Sequence, residues 1–295
     1  MTSAIITGAT GFIGMHLLRV LLDNDTLVSA LCRENSVNNV RLLSGVHAAY
    51  SLDTLPTADV FYHLAWDGAS GPGRGDAALQ SSNVTLALDA LNCAAKLGCR
   101  KFVMLGTVYE RFSGSVKNNE SFGNSDFYIL SKDSAHALTS QLAYKLEMNY
   151  TYVQICHPFG KYVKREQMLA NVIHNLIEGK TIEFGEGYEY FDIVAVEDLA
   201  HGLQLIGNSE YAHREFYIGS GNSRLLREYI LDAKHVLGVD TKIEFGARPH
   251  DGLHFDREWF NINEAVEYVG YTPRISFEDM IRRYLESETP NTLRD

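Results

Sequence analysis

The sequence is poor in positive charge: 26 Lys and Arg stand against 37 Asp and Glu, a formal net charge of -11 at pH 7. Affinity for a nucleic-acid backbone comes largely from clustered cations, so a nucleic-acid partner is not expected. An anionic small molecule stays compatible with this balance, because a few local cations and a helix N-terminus can hold phosphate against an acidic background. Long apolar runs are missing too, and nothing approaches the span of about 20 residues that crosses a bilayer. The opening segment Met1 to Gly14 has neither a basic leader before an apolar stretch nor a small-residue cleavage site. The expectation is a cytoplasmic protein with no membrane partner. Cysteine is scarce. Cys32, Cys93, Cys99 and Cys156 form no C-x-x-C pair, which points to small side chains in a reducing compartment and to no metal site. Internal repeats and low-complexity tracts are also lacking.

What remains is a chain of 295 residues, 45% apolar and 21% charged, ordinary for a folded domain and long enough for one nucleotide-binding unit and a smaller lobe. Ser3 to Thr7 reads as a short apolar strand, Gly8 to Gly14 as a glycine-rich turn, and Ile13, Leu17, Val20 and Leu21 recur at helical spacing before a second strand, Leu27 to Cys32. The alternation continues. Val60 to Ala65 is a strand, Val84, Leu88, Leu91 and Ala95 share a helical face, and Lys101 to Leu105 is another strand. Tyr128 to Met148 reads as a long helix with Ala135, Leu138, Leu142 and Leu146 as its apolar stripe, and Tyr150 to Cys156 closes the series. Strands alternating with helices predict an α/β fold: a Rossmann-type, doubly wound parallel sheet. The dinucleotide-binding domain is expected over residues 1–157 and a smaller C-terminal substrate lobe over 158–295. Asp192 to Val196 looks like a buried strand that rejoins the main sheet, so that about 191–215 returns to the first domain.

Gly8-Ala-Thr-Gly11-Phe-Ile-Gly14 follows a strand and opens a helix. A dinucleotide site needs a tight turn at the first glycine, close approach of pyrophosphate at the second, and close helix-to-strand packing at the third. The second strand ends in Cys32-Arg33. No acid occupies position 32 to accept a ribose hydroxyl, and Arg33 suits a 2'-phosphate. NADP(H) is therefore favoured over NAD(H), with Glu34 close enough to keep the second possibility open. Tyr128-Ile-Leu-Ser-Lys132 places a phenol and an ammonium four residues apart on one helix face. Such a pair suits carbonyl reduction or alcohol oxidation, because a nearby cation favours the ionised phenol and brings it towards useful proton transfer. Thr107 lies just past the end of a strand, where parallel sheets place ligands. Its hydroxyl either holds the substrate oxygen or caps the turn.

Taken in order, Gly8 to Gly14, His63-Leu64-Ala65, Asn83-Val84, Tyr128 to Lys132, Val196-Glu-Asp-Leu-Ala200 and Tyr271-Thr-Pro273 resemble the extended short-chain dehydrogenase/reductase family, in its nucleotide-sugar-modifying branch. The resemblance covers most of the chain. It implies a homodimer built around a four-helix bundle, with Thr107, Tyr128 and Lys132 as the catalytic set. It implies cofactor contacts from Gly8, Thr10, Gly11, Phe12, Ile13 and Gly14, from Leu64 and Ala65, and from the segment His157, Pro158, Phe159, with Tyr128 and Lys132 also contacting the cofactor, the lysine through the ribose. Gly106-Thr107-Val-Tyr-Glu110 resembles the family's Gly-Ser-x-x-Glu variant, which gives Thr107 the serine role. Leu105 would take that position if Tyr109 were the family's usual aromatic, and a leucine cannot do its work.

Arg248-Pro-His-Asp251 resembles an Arg-Pro-Gly-Asp segment that contacts the diphosphate of nucleotide-sugar substrates. A loop salt bridge between Arg248 and Asp251 is the plainer alternative. Two departures stand against this: Gly160 where many relatives carry a phosphate-contacting asparagine, and Phe191 where they carry arginine. Lys164 and Arg165 are candidate replacements, and Trp66, Tyr188 and Tyr190 are candidates for shaping a sugar pocket. Family dehydratases have Asp-Glu after the threonine, whereas this chain has Val108-Tyr109, so dehydration is not expected. The expected activity is NADPH-dependent reduction of the 4-keto group of a nucleotide-diphosphate deoxysugar. An NAD-dependent 4-epimerase and a non-catalytic dinucleotide sensor are the alternatives.

Overall fold

A computed structural model describes residues 1–33, 45–212, 214–250 and 252–288. The chain divides into two compact units, Met1–Ile155 with Ala200–Ile218 and Ile262–Thr272, and Cys156–Leu199 with Gly219–Asn261 and Pro273–Asp295. In the first unit the strands are β1 (Ser3–Thr7), β2 (Leu27–Leu31), β3 (Val46–Ala49), β4 (Val60–His63), β5 (Lys101–Leu105), β6 (Asn149–Gln154) and β7 (Arg214–Tyr217). They form a seven-stranded sheet in the order β7-β6-β5-β4-β1-β2-β3, parallel throughout. This is an α/β fold of Rossmann type. The strand order reverses between β1 and β4, and ligands of open parallel sheets bind at the carboxyl ends of the strands flanking such a switch. The site must therefore be sought beside Thr7-Gly8 and His63-Leu64.

The helices α1 (Phe12–Asp23), α2 (Ala77–Lys96), α3 (Asp126–Lys145) and α4 (Val196–Asn208) alternate with these strands. Ile5, Phe61, Phe102 and Met104 of the sheet share a buried cluster with Ala87, Ala90, Leu91 and Ala94 of α2 and Ala135 and Ala143 of α3. The stripe expected on α3 is displaced: Ala135, Thr139 and Ala143 are buried, whereas Leu138 is 49% exposed and Leu146 lies at the helix C-cap. On α2 likewise the buried positions are Gln80, Asn83, Ala87, Ala90, Leu91 and Ala94. Small residues let both helices approach closely, and this outweighs the preference for burying the largest side chains.

Lys101, fully buried at the start of β5, donates to the carbonyls of Ile206, in the last turn of α4, and Ser209, just past its end. In the second unit, His157–Phe159 pairs in parallel with Ile193–Ala195 as a separate two-stranded sheet. The strand expected near Asp192 thus does not rejoin the main sheet. The segment that does so is β7, which follows α4 and pairs with β6. No helix among the described residues is long and apolar enough to cross a membrane.

Candidate active site

Two glycines form a cradle at the end of β1. Gly8 has φ +73°, and a Cβ there would lie 2.8 Å from the Ala65 nitrogen, while a Cβ on Gly14 would lie 2.1 Å from the Gly8 carbonyl oxygen. The turn is therefore pressed against Leu64 and Ala65, whose amides donate to the Thr7 carbonyl (3.2 Å) and the Thr7 hydroxyl (3.3 Å). Thr10 lies in the turn, and Phe12 and Ile13 open α1. Gly11 is the N-cap of that helix, with no side-chain cap and no acidic residue in the first turn. A helix N-terminus left open in this way, behind a cradle that side chains would fill, suits a pyrophosphate. Arg33, just past β2, pairs with Asp67 at 3.1 Å, with side chains 74% and 54% exposed. Glu34 lies outside the described residues.

At the carboxyl end of β5 the chain turns at Gly106-Thr107. Thr107 caps the 3-10 turn Val108–Phe112 by accepting from the Tyr109 amide (3.3 Å), and its hydroxyl helps to lower the pKa of the Tyr128 phenol. The two readings of Thr107 are thus compatible in one side chain. Tyr128, Lys132 and His136 follow at four-residue intervals along α3. Burial raises the Tyr128 phenol above its ordinary pKa, with the charge of Arg74 and then the Thr107 hydroxyl pulling it back. The sequence assigns that electrostatic role to Lys132. In the structure a second cation, Arg74, acts on the phenol, its guanidinium carbon 4.4 Å from the Tyr128 ring centre.

Lys132 is buried one turn along α3. Its Nζ donates to the Leu105 carbonyl at 3.0 Å and lies 3.7 Å from the Trp66 ring centre. Burial pushes its ammonium down to about 7, Glu110 opposing and Arg74 adding to the fall. Trp66, taken from sequence as a pocket-shaping aromatic, is here the platform under that lysine, held by its indole N–H bond to Gln80 (2.9 Å). His63, at the end of β4, bonds Thr7 through Nδ1 (2.9 Å). Burial, assisted by the Lys132 charge, lowers it to about 3, so it stays neutral.

Beneath these groups lies a buried polar network that sequence reasoning missed. Glu110 accepts from the Tyr152 hydroxyl and the Gln154 amide. His136 stacks on Tyr152 with ring centres 3.6 Å apart, and stands 3.4 Å from Glu110 and 3.2 Å from Glu215. Burial opposes its charge, but the bonds to Glu110 and Glu215 outweigh it and raise His136 to about 9. The turn bearing Thr107 rests on this network: a Cβ on Gly106 would lie 2.2 Å from the Tyr152 ring. The one signal in the sequence was the helical spacing of His136 from Lys132. Its acidic partners come from β7 and from the turn after β5, and no local pattern links them.

The other expected residues belong to the second unit. The His157 amide donates to the Asp192 carbonyl (3.2 Å), and Pro158 sits opposite Val194. Arg248 pairs with Glu183 at 3.6 Å and is 66% exposed, while Asp251 lies outside the described residues. Gly160 has a local cause, since a Cβ would lie 2.7 Å from Val196. Phe191 is buried against His157 and Phe255 as a core residue. Arg165 is bound to Glu178, and Tyr188 and Tyr190 each carry an arginine over the ring, Arg227 and Arg257.

Residues 4–219 match the NAD dependent epimerase/dehydratase family. The chain belongs to that family. A low-salt glycan biosynthesis protein of Haloferax volcanii is 26% identical, over 93% of this chain and 94% of its own. A dTDP-6-deoxy-L-talose 4-dehydrogenase (NAD(+)) of Aggregatibacter actinomycetemcomitans is 25% identical over 84% and 97%. Among solved structures, the dTDP-glucose 4,6-dehydratase DesIV of Streptomyces venezuelae, solved with NAD bound, superposes with a TM-score of 0.80 at 21% identity, covering 98% of this chain and 97% of that one. At that identity the likeness shows the fold. Family membership brings a nicotinamide dinucleotide as the cofactor, in agreement with the glycine cradle.

Proposed function

We propose that this family member is a cytoplasmic NADPH-dependent reductase of the 4-keto group of a nucleotide-diphosphate deoxysugar. The observation that carries the reading is the Tyr128 phenol under the influence of Thr107 and Arg74 past the carboxyl end of β5, with Lys132 one helical turn further on. NADPH, when bound, supplies the hydride. Tyr128 gives its proton to the ketone oxygen, and Thr107 bonds the same oxygen, so that hydride and proton together complete the alcohol. Burial, which keeps the phenol protonated at neutral pH, suits it as a proton donor. Lys132 changes partner from the Leu105 carbonyl to the cofactor ribose. The α1 N-terminus takes the pyrophosphate and Leu64 and Ala65 flank it, with His157 and Pro158 as further cofactor contacts by the family resemblance. Arg33 receives the 2'-phosphate; its exposed pairing with Asp67 belongs to a class worth about 0–1 kcal/mol and costs little to exchange. Arg248 takes part of the substrate diphosphate. Exposed Phe127 and Leu138 on α3 support a homodimer through that helix.

One observation favours the second reading, an NAD-dependent 4-epimerase: the charge of Arg33 is already answered by Asp67. The deciding experiment incubates the protein with NADPH or NADH and a panel of 4-keto sugar nucleotides while reduced-nicotinamide absorbance is followed. Stoichiometric loss of NADPH with one of them is expected. Interconversion of 4-epimers with retained NAD, and no net consumption of either reduced cofactor, would establish the epimerase instead.

A further inference from the structure

The segment between β4 and α2 is tied down by two buried amides. Gln80 donates to the carbonyls of Gly73 (2.8 Å) and Gly68 (3.0 Å), and Asn83 both accepts from the Asp67 amide (2.9 Å) and donates to the Asp67 carbonyl (2.8 Å). Gln80 and Asn83 are 0% and 2% exposed, so this loop is fixed as firmly as the helix that carries them. Arg74 is set within it. Its Nε donates to the Ala69 carbonyl at 2.8 Å, and its guanidinium carbon lies 4.4 Å from the Tyr128 ring centre and 4.8 Å from that of Tyr109. Tyr109 in turn meets Tyr128 edge-on at 6.3 Å. Among the described residues no carboxylate pairs with Arg74, and its two Nη atoms make no bond. A cation held in place by a built loop, stacked on the reacting phenol and left without a counter-ion, is arranged for a negative charge that arises during the reaction.

We propose that Arg74 is a positioning residue for Tyr128, a second cation beside Lys132 that fixes the phenol ring and balances the negative charge left on its oxygen once the proton has gone to the substrate. The charged groups facing the phenol are Arg74 and Glu110, and the side chains against it are Thr107, Trp66 and Tyr109. Lys132 stands one turn further along α3, turned to Leu105 and Trp66. Of these groups Arg74 alone carries positive charge onto the ring face.

This inference rests on Tyr128 as the proton donor, and its test needs no substrate. The full chain, labelled in its tyrosine ring carbons and saturated with NADH or NADPH, whichever binds more tightly, is titrated by NMR. The Tyr128 signal is identified by its loss in Tyr128→Phe. In Arg74→Met, and in Arg74→Gln as a second neutral variant, Tyr128 is expected to ionise about one pH unit higher than in the wild type. Arg74→Lys should return most of that shift, and dinucleotide affinity should stay within about twofold in all three. Ionisation of Tyr128 at an unchanged pH in the neutral variants, or a shift as large in Arg74→Lys as in Arg74→Gln, overturns the proposal. Failure of the underlying reading would look different: Tyr128→Phe would then keep its turnover.

Discussion

Replacing Lys132 by methionine removes a charge that the fold holds out of water while keeping most of the side-chain volume. The ammonium is 5% exposed and held down to about 7, whereas an unfolded chain releases that proton near its ordinary value of about 10.4. Between those two values the unfolded chain binds more protons than the folded one, so stability rises with pH across this window, and the penalty is complete only below the folded value. At 1.36 kcal/mol per unit, linkage gives a penalty of about 5 kcal/mol at pH 6 and about 2 kcal/mol at pH 9. The wild type should therefore gain about 3 kcal/mol on Lys132→Met between these pH values. The other titrating groups are common to both proteins, and His63, whose pKa the Lys132 charge helps to lower, is held to about 3 chiefly by burial, well below this window. Urea unfolding of the two proteins at pH 6 and pH 9 measures this gain, and loss of the bond to Leu105 adds a constant that does not change its slope. A stability difference that stays flat from pH 6 to pH 9 would refute the buried, desolvated lysine. Turnover should be lost in the variant at every pH.

Gly106→Ala should destabilise by about 1–3 kcal/mol, because the new Cβ meets a Tyr152 ring pinned by Glu110, and thermal unfolding would register it. His136→Gln should cost stability below its unfolded pKa of about 6.5, and that cost should fade as pH rises through the folded value of about 9; unfolding curves at pH 6 and pH 10 test this. Arg248→Ala should weaken nucleotide-sugar binding by about 10-fold, the lower end of the range for a charged contact, since the side chain is exposed and already paired with Glu183. An unchanged Michaelis constant with lowered thermal stability would assign it to that pair alone. Tyr128→Phe should lower turnover by about 100- to 10,000-fold while cofactor binding survives.

The glycine turn, the strand-helix alternation and the Tyr128/Lys132 spacing are local patterns, and local geometry is what a sequence encodes directly: a strand, a tight turn without side chains, and a four-residue interval on one helix face. The sequence therefore determined by itself the Rossmann-type sheet, the dinucleotide cradle and the family resemblance. It did not determine which side of α2 and α3 is buried, because close packing through Ala87, Ala90, Ala135 and Ala143 outweighs the pull of the larger leucines. Nor did it determine where the strand near Asp192 pairs, since a short apolar run carries no mark of its partner. Above all, only the tertiary structure decided the electrostatics of the reacting phenol. Arg74 is 54 positions from Tyr128 in the chain, and Glu110 and His136 meet across a helix and a turn. Charges act through space, and burial sets their strength, so the field at a proton-transfer site exists only once distant segments have closed around it.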